Sequence, residues 1–433
     1  MAIPRAAGTG GPDARAAASP HGIGYKRHVL SPESARRRIL AALTDVAPLP
    51  AERVPLQAAL HRALAEDLTA DGELPSLALS TMDGYALRAA AVPAPGTTLP
   101  VAFEVFAGRP PPGPLPAGTC CRIFTGAPLP AGADAVEMQE EVTRRGERAR
   151  FRRAAQPGRF VRQPGSDLAA GAVALARGAV LDPAAIGLAA GLGRAELLVR
   201  RRPRVAILPT GDELVVPGRP LRPGAIFESN GALLAAAACD AGAEPILLPP
   251  AGDAERSLAA ALAAAQGLDA LVTVGGVSVG ERDLVRAALV RAGARLEFWR
   301  VAIRPGKPFA FGRWGRTAVF GLPGNPASAF VTFELFVRPA LRALAGLAGD
   351  GRARATVRLA RAVEKPAPLT AYLRAQLQAT RRGLLAEPLR SQASGDLASL
   401  AGCSALAILP AGRVRFARGA AVEAVLLRPP PAE

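Results

Sequence analysis

Three stretches of this chain place oxygen donors and glycines where strands are expected to end. In PTGDEL (209–214), the adjacent carboxylates Asp212 and Glu213 follow Gly211. Two ionised carboxylates side by side are costly unless a cation or hydrogen bonds offset their charge. A hard divalent ion such as Mg²⁺ takes oxygen ligands of this kind and is often shared with substrate phosphates. A solvated acidic turn is an equal reading of that motif alone. In VGGVSVGERD (274–283), Gly275, Gly276 and Gly280 surround Ser278, and Asp283 falls in the first turn of an expected helix. Backbone N–H groups in such a turn cradle an oxyanion. It is not a Walker loop, because no Gly-Lys-Ser/Thr follows. In GLPGNPASAF (321–330), Pro323 and Pro326 flank Gly324 and Asn325. That is a rigid turn entering a helix, with Asn325 and Ser328 as cap candidates.

Three further motifs add side chains. Lys fills only positions 26, 307 and 365 of the 53 basic residues, so Lys307 in RPGKPFAFG (304–312) stands out. Its compact ammonium contacts oxyanions as a point charge, unlike the planar fork of Arg. TMDGYAL (81–87) sets Asp83 beside Gly84, a turn signature. IFTGAPLPAGADAVEMQEE (123–141) puts the Thr125 hydroxyl next to Gly126, which permits close approach of a ligand. Each motif alone also reads as an ordinary turn. Together they describe the rim of one α/β sheet arranged for an anionic, phosphorylated ligand with a metal.

The elements that must carry these residues follow from periodicity and punctuation. Ser31, Pro32 and Glu33 are helix-start signals, and Ile39, Leu40 and Leu43 give a helix over 31–45 its apolar face. Leu56, Leu60 and Leu64 predict a second helix over 55–66. Residues 75–145 are rich in Pro and Gly with short runs at 101–106 and 120–124, as in a small β domain. Residues 158–200 give short runs ending in a helix at 183–191 that starts from Asp182 and Pro183. From 203 onward strands that run into Gly turns (204–214, 268–280) and a strand at 245–248 alternate with helices (227–241, 254–266, 282–292, 326–345), the rhythm of a parallel α/β sheet. Ligands bind at the carboxyl ends of such strands, where Gly211 and 275–280 sit. Residues 350–430 lack alternation, and runs at 354–359, 371–378 and 421–427 suggest a small β domain.

Composition limits the alternatives. The 433 residues exceed one core, and roughly 150 residues per domain suggests about three. The charge-free run 317–333 is broken by Pro323, Gly324 and Pro326, so no membrane span is expected. The first residues read as a disordered leader rather than a secretory signal. Four Cys (120, 121, 239, 403), no Cys-x-x-Cys and three His argue against a disulfide framework or a zinc site and fit a reducing cytoplasm. The net charge of +17 comes from dispersed Arg with only 4% aromatics, which suits a solvated basic surface and a small anionic substrate better than nucleic acid.

Six motifs in this order, STMDGYAL (80–87), TGAPLPAGADAV (125–136), TGDEL (210–214), GGVSVGERD (275–283), PGKP (305–308) and GLPGNPASA (321–329), resemble the molybdopterin molybdenumtransferase family. These are MoeA-type molybdenum insertases, a family that includes the C-terminal domain of gephyrin. The resemblance spans about 30–430. It implies a multidomain α/β plus β architecture with a 1–26 leader and a split helical and β linker domain at 27–74 and 146–202. A β domain is inserted at 75–145, a molybdopterin-binding α/β domain occupies 203–349, and a C-terminal β-barrel occupies 350–433. It implies a cytoplasmic homodimer that inserts molybdenum from molybdate into adenylylated molybdopterin and releases AMP with Mg²⁺. Other molybdenum cofactor biosynthesis proteins or molybdoenzyme chaperones are the implied partners. The resemblance further implies that Asp83 and Thr125 of one subunit face the other subunit's cleft. Asp212 and Glu213 would hold or orient the metal and phosphates. Gly275, Gly276, Ser278 and Asp283 would bind pterin and nucleotide, with Gly211 and Gly280 beside them. Lys307, Pro323 and Pro326 would line the molybdate and dithiolene end, and Arg304, Gly324, Asn325 and Ser328 would be cofactor-binding. Asp167 matches a family acidic position, and Arg374 and Ser394 match oxyanion-contacting positions.

The chain departs from the family pattern at three places. Arg304 stands where Lys is usual, His61 where Gly is common, and AGCSAL (401–406) lacks the usual Ala-Asn-Gly. Competing readings are an adenylyltransferase acting one step earlier, a non-catalytic scaffold and a phosphoanhydride hydrolase. The extension at 30–200 argues against the first. The intact Asp83, Thr125, Glu213, Asp283 and Lys307 argue against the second.

Overall fold

The computed structural model describes residues 29–44, 49–276, 284–366 and 368–429. The expected leader at 1–26 and the site candidates Ser278, Gly280 and Asp283 lie outside them. The helix Pro32–Thr44 begins where its start signals stand: the Ser31 hydroxyl accepts the Ser34 N–H at 3.1 Å. It buries Ala35, Ile39 and Leu43, at four-residue spacing, against the α/β core rather than against the linker region.

The expected helix over 55–66 does not form. Only Leu56–Ala59 is helical, and His61 then takes φ 62°, a left-handed conformation that ends the turn. The leucine spacing misled because Leu64 is buried by sheet neighbours: its N–H bonds Ala179 O at 2.9 Å, and Leu181 N–H bonds Arg62 O at 3.0 Å. The two linker segments are joined by strand pairs. Ala51–Pro55 runs antiparallel to Glu196–Arg200, and Leu68–Thr69 pairs with Val173–Leu175. The helix Pro183–Gly191 is capped by Asp182, whose side chain accepts the Ala185 N–H at 2.8 Å.

Between these segments lies a six-stranded sheet in the order Ala135–Met138, Gly84–Leu87, Cys120–Ile123, Thr98–Val105, Arg148–Phe151, Val142–Arg145. Its last hairpin reaches Phe151, past the expected boundary at 145. Adjacent strand residues point to opposite faces. Accordingly Cys120 packs with Tyr85, Leu87 and Phe151 on one side, and Cys121 with Val105, Ile123 and Val136 on the other. Burial pushes both thiols up to about 12.

The α/β region is a six-stranded sheet whose order is Glu244–Leu247, Arg204–Pro209, Ala270–Val274, Thr317–Leu322, Pro308–Trp314, Arg295–Arg300. The first four strands are parallel. The last two are antiparallel, an extension that the strand–helix rhythm did not reveal. Apolar cores fill both faces, with Val205, Ile207 and Val272 on one and Ala206, Leu208 and Leu271 on the other. The closing helix of the sequence reading, 326–345, is three pieces: Pro326–Thr332, a π turn at Phe333–Val337, and Arg338–Leu344.

The C-terminal strands close on themselves. Thr370–Thr380 pairs with both Gly383–Pro388 and Ala405–Leu409, and Arg354–Leu359 and Ala421–Leu426 complete the circuit. The result is a five-stranded barrel without free edges. One further pairing matters for the site. Ile303–Arg304 of the α/β region lies parallel to Thr370–Ala371 of the barrel. No helix among the described residues is long and apolar enough to cross a membrane.

Candidate active site

Three turns at the carboxyl ends of the parallel strands converge. Thr210 ties the first to the second, its N–H and hydroxyl both donating to Val274 O at 2.9 and 3.2 Å. Gly275 N–H donates to Leu322 O at 3.1 Å, joining the second to the third. Close approach requires glycine here. Gly275 has φ 94°, and a Cβ on it would lie 2.7 Å from Thr210 O. A Cβ on Gly276 would collide with Val285. The turns enclose a cleft of about 950 Å³. Gly211, Asp212, Glu213, Gly275 and Gly276 line it, with Pro323, Gly324, Asn325 and Pro326 opposite.

One wall is acidic. Asp212 Oδ1 accepts the Asp253 N–H at 3.0 Å, and its carbonyl accepts from Arg222. The Asp253 carboxyl is held above its ordinary range by burial and then by the charges of Asp212 and Glu213. Among the described residues no cluster of three His, Cys, Asp or Glu side chains is placed to hold a metal. Two exposed carboxylates from a single turn instead suit an ion that keeps water and shares substrate phosphates, the habit of Mg²⁺. Asp253, buried Glu228 and Asn230 also line the cleft, and sequence reasoning missed all three. Glu228 accepts the Gly231 N–H at 2.7 Å, and Asn230 Nδ2 donates to Gly324 O at 2.7 Å, bracing the third turn. The Glu-Ser-Asn run before a helix was the available signal.

Among the described residues no Lys or Arg lines the cleft itself, and the basic candidates stand beside its other end. Arg304 and Lys307 are exposed on the loop whose next residue, Pro308, lines the cleft. That loop folds over Gly306, where a side chain would strike Thr332. Through the 303–304 pairing the loop is backed by the barrel strand that carries Arg374. Arg374 is fully buried, and burial lowers its pKa. Its Nη2 donates to Ser391 O and Ala393 O at 3.1 and 2.9 Å, while Nε and Nη1 have no hydrogen-bond partner among the described residues. The loop so held reaches the third turn. Asn325 Nδ2 donates to Ser394 Oγ at 3.0 Å, and Ala327 N–H to Ser394 O at 3.0 Å. Gly395 and Leu397, also missed from sequence, close the cleft from the barrel side. Asn325 is thus the N-cap by position but turns its amide to Ser394 instead of capping. Ser328 is neither cap nor lining: it is buried inside the helix, its carbonyl accepting the Thr332 hydroxyl at 2.8 Å.

Asp83 and Thr125 meet elsewhere. On the inserted sheet the Thr125 N–H and hydroxyl both donate to Asp83 Oδ1 at 2.8 Å, and the pair is exposed. These bonds, with Arg122 nearby, hold the Asp83 carboxyl below its ordinary range. Gly84 is required beside it, because any side chain would run into Glu137 O. Neither Asp83 nor Thr125 lines the cleft of its own chain. Asp167 is exposed and paired with Arg162, apart from both.

Comparison with known proteins shows what the chain as a whole is similar to. Residues 30–193 match the MoeA N-terminal region (domains I and II), 206–343 a probable molybdopterin binding domain, and 356–427 the MoeA C-terminal region (domain IV). The molybdopterin molybdenumtransferase of Bacillus subtilis is 36% identical over 87% of this chain and 90% of its own length. That of Synechococcus elongatus is 38% identical over 91% of this chain and 99% of its own. A crystal structure of the molybdopterin biosynthesis MoeA protein of Pyrococcus horikoshii superposes with a TM-score of 0.79 at 31% identity, over 93% of this chain and all of that one.

Proposed function

Because the chain belongs to the molybdopterin molybdenumtransferase family of molybdenum cofactor biosynthesis, we propose that it takes adenylylated molybdopterin and molybdate, transfers molybdenum to the dithiolene and releases AMP. The observation that carries this reading is the cleft itself: three turns meet with carboxylates on one wall and a cation-bearing loop beside the other. Both substrates are anionic, and bringing them together requires dipoles and cations aimed at the converging charge. The Gly275 and Gly276 turn, where neither residue can carry a side chain, lets the backbone come close to the phosphates. Asp212 and Glu213 are the residues that would hold Mg²⁺, which when bound supplies positive charge to the phosphoanhydride.

Lys307 and Arg304 are suited to the tetrahedral dianion at the opposite end, and buried Arg374 lies on the barrel strand that backs their loop. Ser394 and Asn325 fix the spacing between that end and the third turn. The exposed Asp83–Thr125 pair, absent from its own cleft, supports a homodimer in which it completes the partner's site. Localisation in the cytoplasm and delivery to other cofactor-biosynthesis proteins or molybdoenzyme chaperones belong to the same proposal.

The test is incubation with adenylylated molybdopterin, Mg²⁺ and molybdate while AMP is followed. AMP release that requires molybdate and consumes no ATP is expected. Release at the same rate without molybdate would make the chain a hydrolase and overturn the reading.

A further inference from the structure

A second cavity, of about 460 Å³, opens where the linker region meets the α/β region, apart from the cleft. Its lining is cationic. The linker region contributes His61, Arg62, Arg200 and Arg202, and the α/β region Arg338 and Arg342. Among the described residues Asp240 is the one carboxylate in the lining, and it is already engaged by Arg338 and Arg352, each at 2.7 Å. Arg62 is paired with Glu52. The remaining guanidinium groups lack carboxylate partners among the described residues. Arg200 donates to Leu49 O at 3.1 Å. Arg342 reaches only carbonyls, Gly349 O at 3.3 Å and Ala348 O at 3.4 Å. Arg202 is exposed and makes no side-chain hydrogen bond or ion pair among the described residues.

The backbone is arranged around this charge. The Arg342 guanidinium lies over Gly351, where a Cβ would come within 2.7 Å of Cζ. His61 stands at the rim in a left-handed conformation that L-residues adopt only at a cost. Burial and the neighbouring Arg338 and Arg352 lower the Arg342 pKa, outweighing the opposing charges of Asp350 and Asp240.

We propose that this cavity is a second anion site, built to take the phosphate group of a small phosphorylated molecule. Arginine forks bind a phosphoryl group through several charge-assisted bonds, which the carbonyls now in contact cannot equal. The volume falls within the ~300–1,000 Å³ of small-molecule pockets, leaving room for an organic portion beyond the phosphate. A ligand seated there touches both regions and ties them together. The inference rests on these residues alone and stands apart from the reaction proposed above.

The test is isothermal titration of the full chain with ribose 5-phosphate and, separately, with inorganic phosphate. Wild type is compared with Arg202→Gln, Arg342→Gln and, as a marker of the cleft, Lys307→Ala. Binding of ribose 5-phosphate should weaken about tenfold or more in each arginine variant, the loss expected for a charge-assisted bond. It should stay within about twofold in Lys307→Ala. Inorganic phosphate competing at the same arginines supports the site and identifies the phosphate group as the recognised part. Arg202 is exposed, so its variant tests the site without disturbing the core. Absence of binding, unchanged affinity in Arg202→Gln, or equal loss in Lys307→Ala would overturn the proposal.

Discussion

Asp83 is held below the ordinary carboxylate pKa because Thr125 donates to one of its oxygens twice. Its pKa is lowered on folding, so the stabilisation is complete above the ordinary carboxylate pKa. It fades as pH falls below that value and is lost once pH passes the folded pKa. In Thr125→Ala the hydroxyl bond goes and the backbone bond remains. The Asp83 titration should therefore move up toward, without reaching, the ordinary carboxylate value, as read by carbon-detected NMR. An unmoved titration would show that the backbone N–H alone holds the charge. His61 offers a second check at this scale. Its φ of 62° suits glycine, so His61→Gly should leave stability unchanged or raise it by up to about 1 kcal/mol in thermal unfolding. Single residues were unevenly legible. Asp212, Glu213 and the glycines announced themselves by type and neighbourhood. Asp253 did not, because a lone Asp in a loop carries no signal until folding brings it to a wall, and Asn230 stood in a run that signals only a helix start.

The barrel strand Thr370–Thr380 buries a cation, Arg374, that is only half hydrogen-bonded among the described residues. Removing a buried, half-satisfied guanidinium relieves desolvation, while losing its two carbonyl bonds costs a similar amount. Arg374→Met should therefore change stability by less than about 1 kcal/mol in denaturant unfolding while molybdate-dependent turnover collapses. A destabilisation above ~3 kcal/mol with turnover intact would make Arg374 purely structural. Elements with clear start signals were legible, as Ser31 with Pro32 and Asp182 with Pro183 show. The helix expected over 55–66 was not, since leucines four apart serve a strand-lined core as readily as a helix face. The antiparallel strands Arg295–Arg300 and Pro308–Trp314 were hidden for a related reason. Alternation of strand and helix reports parallel crossovers and is silent about a hairpin added at the sheet edge.

At the scale of the whole molecule, the inserted sheet and the α/β cleft hold halves of one expected site. If Asp83 of one copy serves Glu213 of another, each single variant, Asp83→Ala or Glu213→Ala, should fold and fail to insert molybdenum. Mixing the two by co-refolding should then restore about a quarter of wild-type turnover. Half the dimers would be mixed, and each mixed dimer would regain one of two sites. No recovery would place both residues' roles within a single copy. The order of six motifs made the overall plan readable, but the packing of Pro32–Thr44 on the α/β core was not, because an amphipathic helix does not say which core it covers. The two-residue pairing of Ile303–Arg304 with Thr370–Ala371 has a last implication. A proteolytic nick near 350 would separate the chain on paper only. The fragments should stay clasped on a sizing column, and a version truncated there should lose the backing that keeps its basic loop in register.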